Sequence, residues 1–130
     1  IKTLPESIEH VGNNLHLPAS PTHLPKKLSY VGGRLDTRRT TIQDLPETLT
    51  HVGGDLLLNN SISRLPNNIQ YIGESLNLYF NDVMTQIPDS LVSINRLILN
   101  EKWKKTDKYT KLIEYVETQK IVKEAVQFGI

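Results

Sequence analysis

Apolar residues recur in register along this chain at intervals of about twenty residues. Each interval starts at a Leu-Pro or Ile-Pro pair, and subtracting successive positions gives spacings of 20, 21, 20 and 22 residues. The pairs are Leu4-Pro5, Leu24-Pro25, Leu45-Pro46, Leu65-Pro66 and Ile87-Pro88. A repeat of this length indicates a solenoid, in which no single unit buries its apolar side alone and neighbouring units supply the core.

Further apolar columns follow each pair and predict the shape of the unit. Four and seven positions after the first residue of each pair come Ile8, Leu28, Leu49, Ile69 and Leu91, and then Val11, Val31, Val52, Ile72 and Ile94. Two columns separated by one variable residue come next: Leu15, Leu35, Leu56, Leu76 and Leu97, and then Leu17, Thr37, Leu58, Leu78 and Leu99. This alternation has the period of a short strand with one buried face. The repeats therefore predict a parallel sheet, and the prolines predict an extended return segment with a tight turn.

A column of small residues stands between the two apolar pairs. It holds Gly12, Gly32, Gly53, Gly73 and Asn95. Glycine replaced once by asparagine is typical of a position where the backbone adopts a positive φ or turns sharply. We predict that all five are structural turns that direct the chain into the strand.

The repeats and their spacing resemble the leucine-rich-repeat superfamily, most closely the short proline-containing repeats of bacterial effector and phage-encoded proteins. The resemblance covers residues 1–99 and implies a right-handed α/β repeat solenoid of about five coils, with a parallel β-sheet on its concave face. In that superfamily an asparagine usually follows the strand. Here Thr40 or Ser61 replaces it, or it is lost.

The repeat pattern stops after Leu99, and residues 100–130 contain no proline and many helix-forming residues. We predict a helix there, begun by Thr106 or Asp107, ended by Gly129, and serving as a C-terminal cap on the solenoid. Its docking onto a partner is the alternative. The apolar stripe of this helix would consist of Leu112, Ile113, Val116, Ile121, Val122 and Val126.

Composition and charge narrow the class of protein. The 130 residues carry a net charge of +1 and include no cysteine, so no strong field favours nucleic acid or a membrane and no disulfide or thiolate site exists. No apolar run approaches the roughly 18 residues of a membrane span. No signal peptide is visible in a chain that starts at Ile1, which favours a cytoplasmic location.

The candidate catalytic residues do not combine into a site. One column reads His10, Tyr30, His51 and Tyr71, and with strands roughly 4.8 Å apart its two histidines would lie roughly 10 Å from each other. One metal ion cannot bind both at about 2.1 Å, so we predict a half-buried ladder without metal. No Ser-His-Asp motif is present, and we expect no enzyme activity and no cofactor.

Variable residues on and after the strands give the candidate binding surface. Arginine and exposed aromatic residues are enriched at binding hot spots, and an outward leucine is not required by a scaffold. In the other interpretation, Phe80 folds back into its loop and Arg38 or Arg39 pairs with Asp36. The predicted partner-binding residues of the concave face and its adjoining loops are Arg34, Asp36, Arg38, Arg39, Leu57, Asn77, Tyr79 and Phe80.

These patterns favour a non-catalytic protein-interaction module that binds a protein through its concave face, and the resemblance suggests an effector or phage protein acting on a host protein. A first alternative is assembly through the N-terminal edge, because residues 1–5 already lie at the end of a repeat and show no cap. A second is nucleic-acid binding by the lysine-rich segment around Trp103 and Tyr109, where residues 100–130 hold seven lysines and five acidic residues. Its lysines are Lys102, Lys104, Lys105, Lys108 and Lys111.

Overall fold

The chain winds into a parallel β-solenoid in the computed structural model, which describes residues 5–17, 24–84 and 86–129. The predicted α/β repeat solenoid, with its parallel sheet and one C-terminal helix, is therefore confirmed. The N-terminal edge was predicted at residues 1–5, and of these residues 1–4, including Leu4, lie outside the described residues.

Each of the first four coils contributes two short strands, and equivalent strands of successive coils pair in parallel. The four-stranded sheet has the order β1-β3-β5-β7 and consists of β1 (His10–Val11), β3 (Tyr30–Val31), β5 (His51–Val52) and β7 (Tyr71–Ile72). The six-stranded sheet has the order β10-β9-β8-β6-β4-β2 and consists of β2 (Leu15–His16), β4 (Leu35–Asp36), β6 (Leu56–Leu57), β8 (Ser75–Asn77), β9 (Ile94–Leu99) and β10 (Val122–Phe128). The sequence predicted one parallel sheet, through the Leu-x-Leu columns, and the six-stranded sheet corresponds to it. The four-stranded sheet and the additional strand β10 were not predicted.

A proline turn opens each coil, as the prolines predicted. In the second coil the backbone N–H of Leu28 donates to the carbonyl of Pro25 at 3.1 Å, and the same bond recurs in the other four coils at 3.0 to 3.2 Å. The apolar residue that closes this turn points into the core, where Leu28, Leu49 and Ile69 have no exposed surface. Proline thus fixes the turn and positions the first core residue of the coil.

The glycine column bends the chain between the two sheets, but not by a positive φ. Among the described residues only Lys120 and Gly129 have a positive φ, so that part of the prediction is wrong. A Cβ on Gly53 would overlap the carbonyl oxygen of Gly32 and lie 2.9 Å from its carbonyl carbon. Glycine is needed because backbones of successive coils approach too closely there for a side chain.

Asn95 does not form the predicted turn. It lies inside β9, which runs without interruption from Ile94 to Leu99. The fifth coil has one residue fewer between these two apolar columns than the coils before it, three positions from Ile94 to Leu97 against four from Ile72 to Leu76. Without that residue the chain has no length for a bend, so two short strands merge into one.

The core lies between the two sheets and is filled by the predicted apolar columns. Thr37 replaces a leucine in one of them and is nonetheless fully buried. Its hydroxyl donates to the carbonyl of Leu57 at 3.2 Å and accepts from the backbone N–H of Asn59 at 3.3 Å. Both hydrogen-bonding functions of the hydroxyl are thereby satisfied, which removes most of the cost of burying it.

The tail contains a short 3-10 turn, Glu101–Trp103, followed by helix α1, Thr110–Thr118. Helix α1 buries Leu112 and Val116 in the core cluster, so the predicted helix and the start of its apolar stripe are confirmed. The second half of the tail is a strand instead. β10 pairs in parallel with β9, with Val126 opposite Leu97 and Phe128 opposite Leu99.

The predicted helix boundaries are wrong at both ends. The N-terminal residue flanking α1 is Tyr109, whose side chain makes no capping bond, while the Thr106 hydroxyl accepts from the N–H of Lys108 at 3.3 Å. At the other end Lys120 adopts a left-handed φ of 56°, and the N–H of Ile121 donates to the carbonyl of Val116 at 3.0 Å. This left-handed cap ends the helix at Thr118, eleven residues before Gly129.

Candidate functional site

The outward rows of the six-stranded sheet form the surface that was predicted as the concave face, and we keep that name for it. Register places Asp36, Leu57, Asn77, Ile98 and Gln127 side by side in one row. Leu57 and Asn77 are each only 6% exposed, although Leu57 lies outside the core cluster. Neighbouring side chains at strand spacing shield each other, so these two predicted contact residues contribute little accessible surface.

Two members of this row shape the loop that follows the strands. The Oδ1 atom of Asp36 accepts from the N–H of Arg38 at 3.0 Å, and the Oδ1 atom of Asn77 accepts from the N–H of Tyr79 at 3.0 Å. Each is a local turn in which a side chain captures the backbone two residues later. The turns end β4 and β8 in the same way and therefore bring their following residues to one edge of the sheet.

Arg38 lies at the centre of the predicted site and joins two coils. Its Nε donates to Oδ1 of Asp36 at 2.9 Å, and a terminal nitrogen lies 2.8 Å from Oδ2, which gives a bidentate pair. The guanidinium carbon also lies 5.8 Å from the centre of the Phe80 ring, within cation–π distance. The hydrogen bond to Asp36 raises the pKa of Arg38, so the guanidinium keeps its charge over this ring.

Phe80 is exposed, and the interpretation in which it folds back into its loop is not what the structure shows. Its side chain is 52% exposed and meets Tyr79 edge to face, with ring centres 5.0 Å apart. The other half of that interpretation holds, because Arg38 does pair with Asp36. We name the cluster formed by Asp36, Arg38, Arg39, Tyr79 and Phe80 the Arg38–Phe80 patch.

Arg39 borders a shallow cavity of about 320 Å³ beside this patch, which is also lined by Leu17, Asp36 and Arg38. Among the described residues no carboxylate forms an ion pair with Arg39. Leu17 belongs to a core column, so its pattern did not indicate that it would also line a surface cavity. The described lining of the cavity therefore combines one leucine with three charged side chains.

Arg34 is not part of the patch. It lies one row earlier on the concave face, where a terminal nitrogen is 3.5 Å from Oδ2 of Asp55. The other oxygen of Asp55 accepts from the N–H and the hydroxyl of Ser75 at 3.1 and 2.7 Å. These contacts link the second, third and fourth coils. The predicted site therefore divides into the patch, the shielded pair Leu57 and Asn77, and a structural ion pair at Arg34.

Buried asparagines behind the strands tie the coils together. The Nδ2 group of Asn59 contacts the carbonyls of Thr37, Thr40 and Ile42 at 2.9 to 3.2 Å, and that of Asn81 contacts the carbonyls of Asn59 and Ile62 at 2.7 and 2.6 Å. Asn81 occupies the position after the strand where the repeat pattern suggested that an asparagine is lost. Its place three residues after Leu78, matching Thr40 after Thr37, was the signal that could have found it.

The tail closes this polar network. The Tyr109 hydroxyl donates to the carbonyl of Asn81 at 3.1 Å, and the residue is 1% exposed. Burial, with a smaller contribution from the charge of Asp82, raises the pKa of Tyr109 to about 12. Because Asn59 is 5% exposed and hydrogen-bonded, its position in an Asn-x-Ser sequence does not make it an accessible glycosylation site.

The histidine and tyrosine column forms a ring ladder on the four-stranded sheet. Ring centres of His10 and Tyr30 lie 4.2 Å apart, those of Tyr30 and His51 6.1 Å, and those of His51 and Tyr71 5.9 Å. A tyrosine thus separates the two histidines, as the spacing predicted. In the described part of the chain no group of three or more metal-ligating side chains is arranged to hold a metal ion.

The lysine-rich segment surrounds Trp103. The ammonium groups of Lys102 and Lys108 lie 5.0 and 4.7 Å from the centre of its ring. Two of the five lysines therefore lie over an aromatic ring of the same chain. Lys108 is half-buried, and the other four lysines are exposed. Nucleic-acid binding by this segment stays a prediction.

Comparison of the chain with protein-family models, with curated proteins and with solved structures gave no match. The fold assignment therefore depends on the coil geometry, and the resemblance to leucine-rich repeats stays a hypothesis. No helix in the described ranges is long and apolar enough to span a membrane.

Proposed function

We propose that the chain is a non-catalytic protein-binding module whose contact surface is the Arg38–Phe80 patch at the edge of the concave face. The observation that carries the proposal is a half-exposed phenylalanine with an arginine held over its ring. Aromatic and arginine side chains dominate the binding energy of protein interfaces. A scaffold does not need to expose either of them here.

The patch is fixed before a partner arrives, which favours binding. Asp36 holds the Arg38 guanidinium by two contacts and also holds its backbone N–H. Immobilising a flexible side chain on binding costs about 0.5 to 1.5 kcal/mol, and a side chain that is already ordered avoids much of that cost. A rigid solenoid therefore presents the patch with little loss of entropy.

The chemistry of the patch indicates what the partner presents. Phe80 and Tyr79 offer aromatic surface, Arg39 offers a positive charge beside a cavity, and Leu17 lines that cavity. A matching protein surface would bring an apolar or aromatic side chain to Phe80 and a carboxylate to Arg39. The resemblance to effector and phage repeats extends the proposal to a host protein as this partner.

Affinity capture with matched variants tests the proposal. The wild-type chain, an Arg38→Gln/Phe80→Ala variant and a Lys26→Gln/Tyr71→Ala control are immobilised and exposed to lysate of the source cell. The control removes a basic and an aromatic side chain that are also exposed but lie away from the patch. Thermal melting of all three first establishes that they are equally folded.

We expect the wild type and the control to bind the same partner. The affinity of the patch variant for that partner should be lower by about 30-fold, because one hot-spot side chain contributes about 2 kcal/mol of binding free energy. A photo-crosslinking amino acid at position 80 should then label the same partner. Equal capture by all three proteins, or labelling only from a position remote from the patch, would contradict the proposed surface.

A further inference from the structure

We propose that copies of this chain associate head to tail, with β10 of one copy pairing in parallel with the first coil of the next copy. β10 lies at one end of the six-stranded sheet and β2 at the other, and all pairings in this sheet are parallel. Each end strand therefore has one edge without a described strand partner, which is a template for a further strand.

The apolar spacing of β10 matches that of the first coil. Val122 is followed four and six positions later by Val126 and Phe128, and Val11 is followed at the same distances by Leu15 and Leu17. Register with β9 places Val122, Val126 and Phe128 in the columns of Val, Leu and Leu that run through the whole solenoid. β9 lacks this spacing because it is one residue shorter, so β10 restores the four-residue interval at the end of the sheet.

The exposed surface of β10 also fits a further coil. Val122, Val126 and Phe128 are only half-buried, whereas residues of the same columns inside the solenoid, such as Leu76 and Leu78, are fully buried. Adding a coil in register would cover the remaining apolar surface of these three residues. Burial of such surface is the general driving force for stacking repeats.

Gly12 gives an independent indication at the other end. In the coils that follow, a Cβ on Gly32, Gly53 or Gly73 would overlap the carbonyl of the glycine one coil earlier. A Cβ on Gly12 would meet no described atom within 4 Å. No contact among the described residues therefore requires glycine at position 12. A backbone docked against the first coil in the same register would require it.

Charge favours a second copy as the occupant. With Val122 aligned to Val11, Lys120 of one copy is opposite Glu9 of the next, and both side chains are exposed. Lys120 stands just before β10 and Glu9 just before β1, so their opposite charges would face each other where the added strand pairing begins. Opposite charges that face each other across paired backbones are favourable. The open edge of β10, its apolar spacing, the glycine at position 12 and the opposite charges of Lys120 and Glu9 all fit the alignment of Val122 with Val11.

Mass measured over a concentration series tests the association. By analytical ultracentrifugation we expect the weight-average mass of the wild type to rise well above that of one chain and to return to it on dilution. Gly12→Val should abolish this rise without lowering the melting temperature, because its side chain enters open space in the single chain. Thr41→Val, which places the same residue at an exposed position away from both ends, should leave the rise unchanged.

Cysteine pairs then test the register, since the chain contains none of its own. Asn13→Cys, in the bend between β1 and β2, combined with Glu124→Cys in β10 would put two thiols on residues that face each other in the proposed register. Neighbouring backbones at strand spacing hold such thiols about 5 Å apart, within disulfide reach. Oxidation should give a ladder of covalent oligomers, and Asn13→Cys combined with Lys105→Cys should give far less. Either of two results would overturn the proposal. One is a wild type that stays monomeric at every concentration, as it would if another segment or a different partner covered the edge. The other is an equal ladder of oligomers from both cysteine pairs.

Discussion

Replacing Asn59 by aspartate tests whether the buried amide network holds the coils together. The substitution keeps the size of the side chain and its Oδ1 acceptor, which receives the N–H of Ser61 at 3.0 Å. It removes the Nδ2 donor that contacts the carbonyls of Thr37, Thr40 and Ile42. At neutral pH it also places a negative charge against these three oxygens.

The expected loss follows from the bonds. An amide nitrogen carries two hydrogens, so two of these contacts are good hydrogen bonds at a time, and each buried group left unsatisfied costs about 1 to 3 kcal/mol. We expect Asn59→Asp to lower the free energy of unfolding by about 3 to 5 kcal/mol. For a domain with a total stability of about 5 to 15 kcal/mol this is a large fraction.

Urea unfolding followed by circular dichroism measures this loss, and the adjacent Asn60 provides the control. Asn60 is exposed, and its Oδ1 accepts from the N–H of Asp82 at 2.8 Å, an acceptor that aspartate retains. Asn60→Asp should therefore change stability by less than about 0.5 kcal/mol. The same loss from both variants would refute the reasoning, because it would show that burial and donor bonds at Asn59 do not matter.

The pH dependence of Asn59→Asp provides a second check on the same variant. Burial against carbonyl oxygens raises the folded-state pKa of the introduced carboxyl above its unfolded value of about 3.9. The neutral acid is tolerated, so the deficit relative to wild type should be smallest below about pH 4 and should grow as pH rises toward 7. A deficit that does not change with pH would show that the charge contributes nothing.

Three further substitutions probe the backbone and the tail. Gly53→Ala should destabilise the fold by about 1 to 3 kcal/mol, because the added Cβ would overlap the carbonyl of Gly32. Gly12→Ala is the control and should leave the melting temperature unchanged. Equal effects of the two substitutions would contradict the close approach of the coils as the cause. Burial raises the pKa of Tyr109 to about 12 in the folded chain, against about 10 in the unfolded chain. The stabilisation that the neutral Tyr109 hydroxyl adds to the free energy of unfolding is therefore complete below pH 10 and is lost between pH 10 and 12. The stability margin of wild type over Tyr109→Phe should shrink across that interval, and a margin that stays constant would refute the shift. Lys120→Gly should stabilise the chain by about 0.5 to 1 kcal/mol in thermal unfolding, because glycine adopts the left-handed φ of 56° without strain. The control is Lys123→Gly in the following strand, which should destabilise the chain.

The Arg38–Phe80 patch could be predicted only in part from the sequence. The contact between Asp36 and Arg38 joins residues two positions apart. The sequence allowed it in one of two interpretations, the one in which these residues form an ordinary loop and not a binding surface. The contact between Arg38 and Phe80 joins the second and fourth coils, so it depends on how the coils stack. Leu57 was expected to be exposed, yet its neighbours in the row shield it, which no single repeat reveals.

By itself the sequence determined the repeating part of the fold. Spacing of about twenty residues, the proline turns and the Leu-x-Leu strands are local features repeated in every coil, and repetition fixes which residues of successive coils meet. The parallel sheet and its inward columns therefore follow from the order of the residues alone.

Only the tertiary structure decided the tail. Residues 122–128 combine valines with lysine and glutamate and satisfy a helical stripe as well as a strand. β9 offers them an open row of backbone donors and acceptors, and pairing with it places Val126 and Phe128 in the core columns. A helix that continued past Lys120 would have left that edge without this strand. Hydrogen bonding to a strand distant in sequence, not local propensity, therefore settled the conformation of this segment.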